Sequence, residues 1–259
     1  MVPPVRPGPA IGLIGQVALL AILAKTVGLG AAGWITGVLY GFALCVLAER
    51  ARRGSGIVRF GPADRVTLTR ATLVGCVTAL TVESFTRPTP VFVLVGIATV
   101  ALVLDAVDGQ VARRTASASG FGARFDMEVD AFLIFVLSVY LTPALGAWVL
   151  AIGAMRYTYV VAGWALPWLR GTPPPRFWCK VVAAIQGIVL VVAAADVLPT
   201  LMTVGALLVA LALLLESFGR DVIWLWRHRV TSAHATSPHA PGVDVPRAAQ
   251  WTETLQQSH

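Results

Sequence analysis

Charged residues and cysteines are both scarce in this 259-residue chain. Lys, Arg, Asp and Glu make up 13% of the residues, whereas a soluble domain averages about 25%. The three cysteines stand singly, at Cys45, Cys76 and Cys179, so the chain has neither a C-x-x-C motif nor a disulfide framework. Ten-residue segments of alternating polarity are missing as well, which argues against a transmembrane barrel. These absences exclude a soluble globular domain and a disulfide-rich one.

Long apolar stretches dominate what is present. Apolar residues account for 57% of the chain, and the mean hydropathy is +0.77. A membrane-spanning helix needs about 20 mostly apolar residues, and Gly or Pro turns separate the segments into hairpins. We therefore predict an all-α integral membrane protein. The eight predicted spans are residues 10–28, 30–48, 66–86, 90–108, 123–142, 144–168, 178–196 and 199–219.

The net charge of +7 has a topological explanation. In a soluble chain such an excess would suggest nucleic acid, but here the basic residues gather at one set of helix ends, as the positive-inside rule describes. With both termini in the cytoplasm, only Lys25 and Arg87 fall on the outer side. We expect a multi-pass plasma-membrane protein without a nucleic-acid partner. The inner side would carry Arg50, Arg52, Arg53, Arg59, Arg65, Arg113, Arg114, Arg124, Arg170, Arg176, Lys180, Arg220, Arg227 and Arg229.

The same pattern divides the chain into four parts. Residues 1–49 form a transmembrane hairpin, although the first apolar segment alone has features of a signal peptide. Residues 50–65 form a juxtamembrane segment, either a helix on the inner leaflet or a solvated loop. Residues 66–229 contain the other six predicted spans and are predicted to form a six-helix membrane domain. Residues 230–259 are polar and are predicted to be a disordered cytoplasmic tail.

Four aspartates carry the strongest indication of chemistry. Asp105 and Asp108 are spaced i,i+3, and Asp126 and Asp130 are spaced i,i+4, so each pair shares one helix face. Carboxylates this close need cations to offset their repulsion. An all-oxygen ligand set favours Mg²⁺ or Mn²⁺, and two-metal sites typically serve phosphoryl transfer. We predict a site for two divalent ions.

The depth of the charged residues supports this grouping. At about 1.5 Å per residue, the four aspartates lie roughly 18–27 Å from the outer turns, and Arg70, Arg156 and Lys180 reach the same layer. Charges inside a membrane are costly and mark functional cavities. Two other interpretations remain: helix-end acids paired with arginines, or an ion transporter or divalent-metal carrier that uses the intramembrane carboxylates.

The segment from Asp105 to Asp130 reads D-x2-D-G-x2-A-R-x8-G-x3-D-x3-D. It resembles the signature of the CDP-alcohol phosphotransferase family at every fixed position. The resemblance implies a six-helix core over about residues 62–220, preceded here by an additional two-helix hairpin, and a homodimer in the lipid bilayer. It also implies an enzyme of phospholipid biosynthesis that transfers a phosphatidyl group from CDP-diacylglycerol to an alcohol and releases CMP.

The resemblance further implies roles for individual residues. Asp130 would be the catalytic base, and the metal ligands would be Asp105, Asp108, Asp126 and Asp130. Thr67 and Arg70 lie in an element similar to the family's Asn-x-x-Thr-x-x-Arg, with Asp64 in place of Asn. These two are either nucleotide contacts or a helix start with a snorkelling Arg. The full set of nucleotide-binding residues would be Gly109, Ala112, Arg113, Gly122, Thr67 and Arg70.

Basic residues suggest how the acceptor is bound. A cluster of cations favours a phosphorylated alcohol, so inositol phosphate and glycerol 3-phosphate are the two candidate acceptors. Arg156 is the most informative because it lies well inside an apolar segment. The alternative role for Arg156 is an ion pair with a carboxylate of the motif. The predicted acceptor-binding residues are Arg156, Arg170, Arg176 and Lys180.

Overall fold

A computed structural model of the chain describes residues 8–55, 62–115, 120–171 and 177–234. Within these ranges the fold consists of α-helices and two short 3₁₀ helices, without strands. This confirms the predicted all-α membrane fold with a hairpin before a six-helix bundle. The α-helices are α1 (Gly8–Thr26), α2 (Ala31–Ser55), α3 (Pro62–Ser84), α4 (Val91–Thr115), α5 (Gly120–Leu145), α6 (Leu150–Ala165), α7 (Phe177–Ala194) and α8 (Thr200–His234).

The outer surface of the bundle is apolar. Phe92 and Leu201 are 78% and 85% exposed, and Trp164 is also exposed. Such a surface is suited to lipid because hydrocarbon chains are as apolar as the side chains themselves. Among the described residues, three helical stretches are long and apolar enough to cross a membrane, namely Val66–Ser84, Phe125–Leu145 and Thr200–His228. Shorter apolar stretches lie at Gly12–Thr26, Ala31–Leu47, Val91–Val107 and Trp178–Ala194.

The turn predicted at residues 142–143 lies a few residues further along the chain. Helix α5 continues through Pro143 to Leu145, and the chain turns at Gly146, whose φ of +93° is a conformation that favours glycine. The N–H of Gly146 donates to the Thr142 carbonyl at 2.9 Å. Pro143 has no N–H to donate to the carbonyl of residue 139, and α5 ends two residues later. The segment predicted as one span, 144–168, is divided into a 3₁₀ helix (Ala147–Val149), α6 and part of a second 3₁₀ helix (Pro167–Arg170).

Three helices cross the predicted boundaries between the parts of the chain. Helix α2 continues to Ser55 and α3 begins at Pro62, both inside the predicted juxtamembrane segment, and α8 continues to His234, inside the predicted tail. Residues 56–61 and 235–259 lie outside the described residues. Helix propagation adds one hydrogen bond per residue, so a helix can continue past the end of its apolar stretch.

Helix α3 is the centre of the bundle. It packs against α1, α2, α4 and α5, and Ala71, Val74, Val77 and Leu80 on it are fully buried. Small residues allow the α1–α2 hairpin to approach the backbone of α3 closely. A Cβ at Gly33 of α2 would lie 3.0 Å from the carbonyl oxygen of a residue in α3. Close approach through glycine is a common mode of helix packing in membranes. The hairpin is therefore packed directly against the central helix.

A buried carboxylate also joins the hairpin to α3. Glu83, near the end of α3, is 3% exposed, and its Oε2 accepts a hydrogen bond of 3.1 Å from the N–H of Gly33. Gly33 lies in the first turn of α2, where backbone N–H groups have no partner within the helix and a negative charge is favourable. Arg87 lies 3.5 Å from the other carboxylate oxygen. Glu83 thus caps α2 from a different helix.

Candidate active site

Three acidic side chains from two helices converge at one end of the bundle. Asp105 comes from α4, and Asp126 and Asp130 come from successive turns of α5. Each offers a carboxylate oxygen within 4.8 Å of the others. Their side chains are 40%, 35% and 31% exposed, so the cluster is open to an approaching ligand. The i,i+4 spacing on α5 places both of its aspartates on one face of that helix.

Arg70 of α3 lies among these carboxylates. Its Nη1 is 2.9 Å from Asp105 Oδ1 and donates a hydrogen bond to Asp126 Oδ1, while its Nη2 donates to Asp130 Oδ1. The side chain is only 1% exposed. Charged hydrogen bonds of this kind are among the stronger ones in proteins. The guanidinium therefore joins α3, α4 and α5 around a single point.

Among the described residues, the carboxylates of the cluster outnumber the cations beside them. One buried guanidinium faces three carboxylates. Lys180 of α7 is exposed and interacts electrostatically with Asp105. The donor set consists of oxygens alone, the type that Mg²⁺ and Mn²⁺ prefer. The described aspartates therefore fit a divalent cation in both ligand type and charge.

The remaining predicted nucleotide and metal residues lie close to this cluster along the chain. Thr67, one turn before Arg70 on α3, is 3% exposed. Asp108, the fourth predicted metal ligand, lies on α4 three residues after Asp105, but its side chain is outside the described residues. The same holds for Gly109, Ala112 and Arg113 in α4 and Gly122 in α5.

The predicted acceptor residues lie in different places. Lys180 is near the cluster, whereas Arg156 of α6 donates from Nη2 to Glu128 Oε1 of α5. Glu128 stands two residues from each aspartate of α5 and so projects from a different face of that helix. The structure therefore brings Arg156 to Glu128 and not to the described carboxylate cluster. The side chain of Arg170 and the whole of Arg176 lie outside the described residues.

Glu128 is a residue that the sequence prediction missed. The available signal was a third acid between Asp126 and Asp130, together with a basic residue inside the next apolar segment. The spacing of residues within one helix does not say how the next helix is rotated about its own axis. The pairing of Glu128 with Arg156 therefore becomes visible only when α5 and α6 are packed together.

Comparison with known proteins agrees with this site. The family model described as CDP-alcohol phosphatidyltransferase matches residues 61–218, and the chain belongs to this family. The resemblance inferred from the aspartate motif is thereby confirmed. A search of curated proteins and a search of solved structures each gave no match. The match begins just before α3, so the α1–α2 hairpin lies outside it.

Membership in the family defines the general activity. The chain is a transferase of phospholipid biosynthesis that acts on CDP-alcohol substrates at a membrane. The family generally uses a divalent metal, which agrees with the donor set of Asp105, Asp126 and Asp130.

Proposed function

We propose that this protein transfers a phosphatidyl group from CDP-diacylglycerol to a polar alcohol and releases CMP. The observation that carries the proposal is the open carboxylate cluster of Asp105, Asp126 and Asp130, set in a bundle with an apolar outer surface. At such a site the acyl chains of the substrate stay in lipid while its charged nucleotide enters the polar cluster.

The bond changes require one base. The acceptor hydroxyl oxygen attacks the phosphorus that carries the diacylglycerol, and the bond from that phosphorus to the CMP oxygen breaks. CMP leaves with the bridging oxygen, and Asp130 accepts the proton of the attacking hydroxyl. Asp130 is suited to this role because it is the least exposed of the three carboxylates. A phosphodiester lipid is the product.

The metal ligands in this proposal are Asp105, Asp108, Asp126 and Asp130, which would hold two ions of Mg²⁺ or Mn²⁺. When bound, such ions neutralise the pyrophosphate and stabilise the charge that develops during the displacement. The nucleotide would be bound by the residues that precede and separate these ligands. They are Thr67, Arg70, Gly109, Ala112, Arg113 and Gly122.

The acceptor in this proposal is a phosphorylated alcohol, either inositol phosphate or glycerol 3-phosphate. Lys180 supports it, because this exposed cation interacts with Asp105 at the cluster. Cations next to a metal site favour a second anionic substrate. The proposed acceptor residues are Lys180, Arg156, Arg170 and Arg176.

The proposed setting is the plasma membrane, with the site and both termini facing the cytoplasm. The distribution of Arg and Lys supports this orientation. We further propose that two copies of the chain form a homodimer. Each chain is divided into the four predicted parts, namely the hairpin (1–49), the juxtamembrane segment (50–65), the catalytic domain (66–229) and the tail (230–259).

The proposal is tested by CMP release from CDP-diacylglycerol by the purified full-length protein. Parallel reactions contain inositol phosphate, glycerol 3-phosphate, inositol or serine, each with Mg²⁺, Mn²⁺ or a chelator. We expect metal-dependent CMP release with one of the two phosphorylated acceptors. Absence of CMP release with all four would refute the proposed reaction, and metal uptake into vesicles without CMP release would favour a carrier.

Asp130→Asn tests the assignment of the base. We expect a loss of at least about 100-fold in the rate of CMP release, as is typical when a general base is removed. Asp196→Asn is the matched control, because Asp196 is exposed and lies in a turn with a φ of +52°, which Asn also tolerates. Full activity of the Asp130 variant would contradict the assignment.

A further inference from the structure

The carboxylate cluster already contains a cation supplied by the chain. Arg70 contacts all three described carboxylates of the cluster and is almost completely buried beneath them, while the carboxylates themselves remain partly exposed. A snorkelling Arg would extend its guanidinium towards water. Arg70 does the opposite, so its contacts indicate a role inside the cluster.

The position of the guanidinium leaves little room for a second cation. The carboxylate oxygens of the cluster lie within 4.8 Å of one another, close enough together to share one cation. Nη1 of Arg70 contacts both Asp105 Oδ1 and Asp126 Oδ1. It therefore occupies the space between these oxygens, where an ion shared by them would lie.

Charge favours an exchange of the two cations. Arg70 offsets one of the three negative charges, and a divalent ion offsets two. We propose that Arg70 is an internal cation that holds the carboxylates together before metal binds, and that a divalent ion displaces it from them. This inference rests on the proposed function, since it concerns the metal used in the transfer.

The displaced guanidinium would gain a second role. Its donors form a planar fork that matches a phosphate group, and the cluster is the place where the pyrophosphate of the substrate is proposed to bind. Arg70 would then change partners, from the carboxylates to the substrate, only after a metal has bound. Metal would therefore bind before the nucleotide, and the nucleotide contact proposed for Arg70 would depend on the metal.

The first test measures Mn²⁺ binding to the full-length protein in detergent by electron paramagnetic resonance. Arg70→Gln removes the competing cation, so we expect its Mn²⁺ affinity to rise by at least about fivefold, at the low end of typical coupling between sites. Arg87→Gln is the matched control, because Arg87 lies just beyond the far end of the same helix and is 63% exposed. Equal or weaker Mn²⁺ binding by Arg70→Gln than by the unmodified protein would overturn the proposal.

The second test uses the unmodified protein and distinguishes displacement from simple repulsion between Arg70 and the metal. Phenylglyoxal modifies accessible guanidinium groups, and mass spectrometry of peptides locates the adducts. We expect the Arg70 adduct to increase several-fold when Mn²⁺ replaces the chelator, with the Arg87 adduct unchanged. Continued protection of Arg70 in protein that has bound Mn²⁺ would overturn the proposal, even if Arg70→Gln does not fold.

The two proposals fail in different ways. Mn²⁺ binding and Arg70 exposure without CMP release would refute the proposed reaction and leave the displacement of Arg70 standing. Metal-dependent CMP release with Arg70 still protected would refute the displacement alone.

Discussion

Gly153 marks a close approach between α6 and α5, the helix that carries two aspartates of the cluster. A Cβ at this position would lie 2.5 Å from the Cα and 3.2 Å from the backbone nitrogen of Phe135. Carbon atoms normally make contact at about 3.5–4.0 Å. Because the nearest obstructing atom is the backbone Cα of Phe135, no change of side-chain rotamer can relieve the clash. Gly153→Ala must therefore move α5 and α6 apart by roughly 1 Å.

The energy of this change has two opposing parts. Overpacking of a well-packed core typically costs about 1–3 kcal/mol, while replacing a helical Gly with Ala returns about 0.4–1 kcal/mol through the unfolded state. We expect a net loss of roughly 1–2 kcal/mol in the free energy of unfolding. We also expect slower CMP release, because Phe135 follows Asp130 by less than two helical turns on the helix that must move.

Unfolding of the detergent-solubilised protein by heat or denaturant measures the first effect. Gly96→Ala on α4 and Gly205→Ala on α8 are the matched controls, because a Cβ at either position would meet no atom within 4 Å. Both controls should be unchanged or slightly stabilised. The reasoning is refuted if Gly153→Ala is as stable as these two variants.

Two further predictions concern the hairpin and the acceptor. Glu83→Ala should lower the free energy of unfolding by about 0.5–2 kcal/mol, the usual cost of losing a helix cap, because the N–H of Gly33 loses its acceptor. Glu216→Ala removes the partly exposed partner of an i,i+4 ion pair and the acceptor of an exposed hydrogen bond from Trp178. It should change the free energy of unfolding by less than about 1 kcal/mol, and equal effects of the two variants in the same assay would contradict the capping role. Lys180→Ala and Arg156→Ala should each raise the KM for the phosphorylated acceptor, measured by CMP release, and unchanged KM values in both would refute the acceptor pocket.

The class of protein and the elements of its site could be predicted from the sequence because both depend on local patterns. Apolar stretches of spanning length indicate membrane helices wherever they pack. The spacing of Asp126 and Asp130 places their side chains on one face of any regular helix. The motif from Asp105 to Asp130 likewise indicated the family, because its fixed positions lie within a short stretch of chain.

The ends of the helices were predicted less well. A proline usually ends a helix, yet Pro143 lies within the last turn of α5, and the chain turns only at Gly146. The choice between these neighbouring positions depends on how α5 and α6 pack, since each position is locally acceptable for a turn.

The partners of the charged side chains were decided by the tertiary structure alone. Arg70 was expected at the depth of the aspartates, but its insertion among the carboxylates of α4 and α5 depends on the rotation of α3. Glu83 caps a helix fifty residues earlier in the chain, and Arg156 pairs with Glu128 rather than with the cluster. A sequence fixes which residues share a face of one helix. Which face meets which neighbour follows from the packing of all the helices together, because small residues and buried charges on several helices must be accommodated at once.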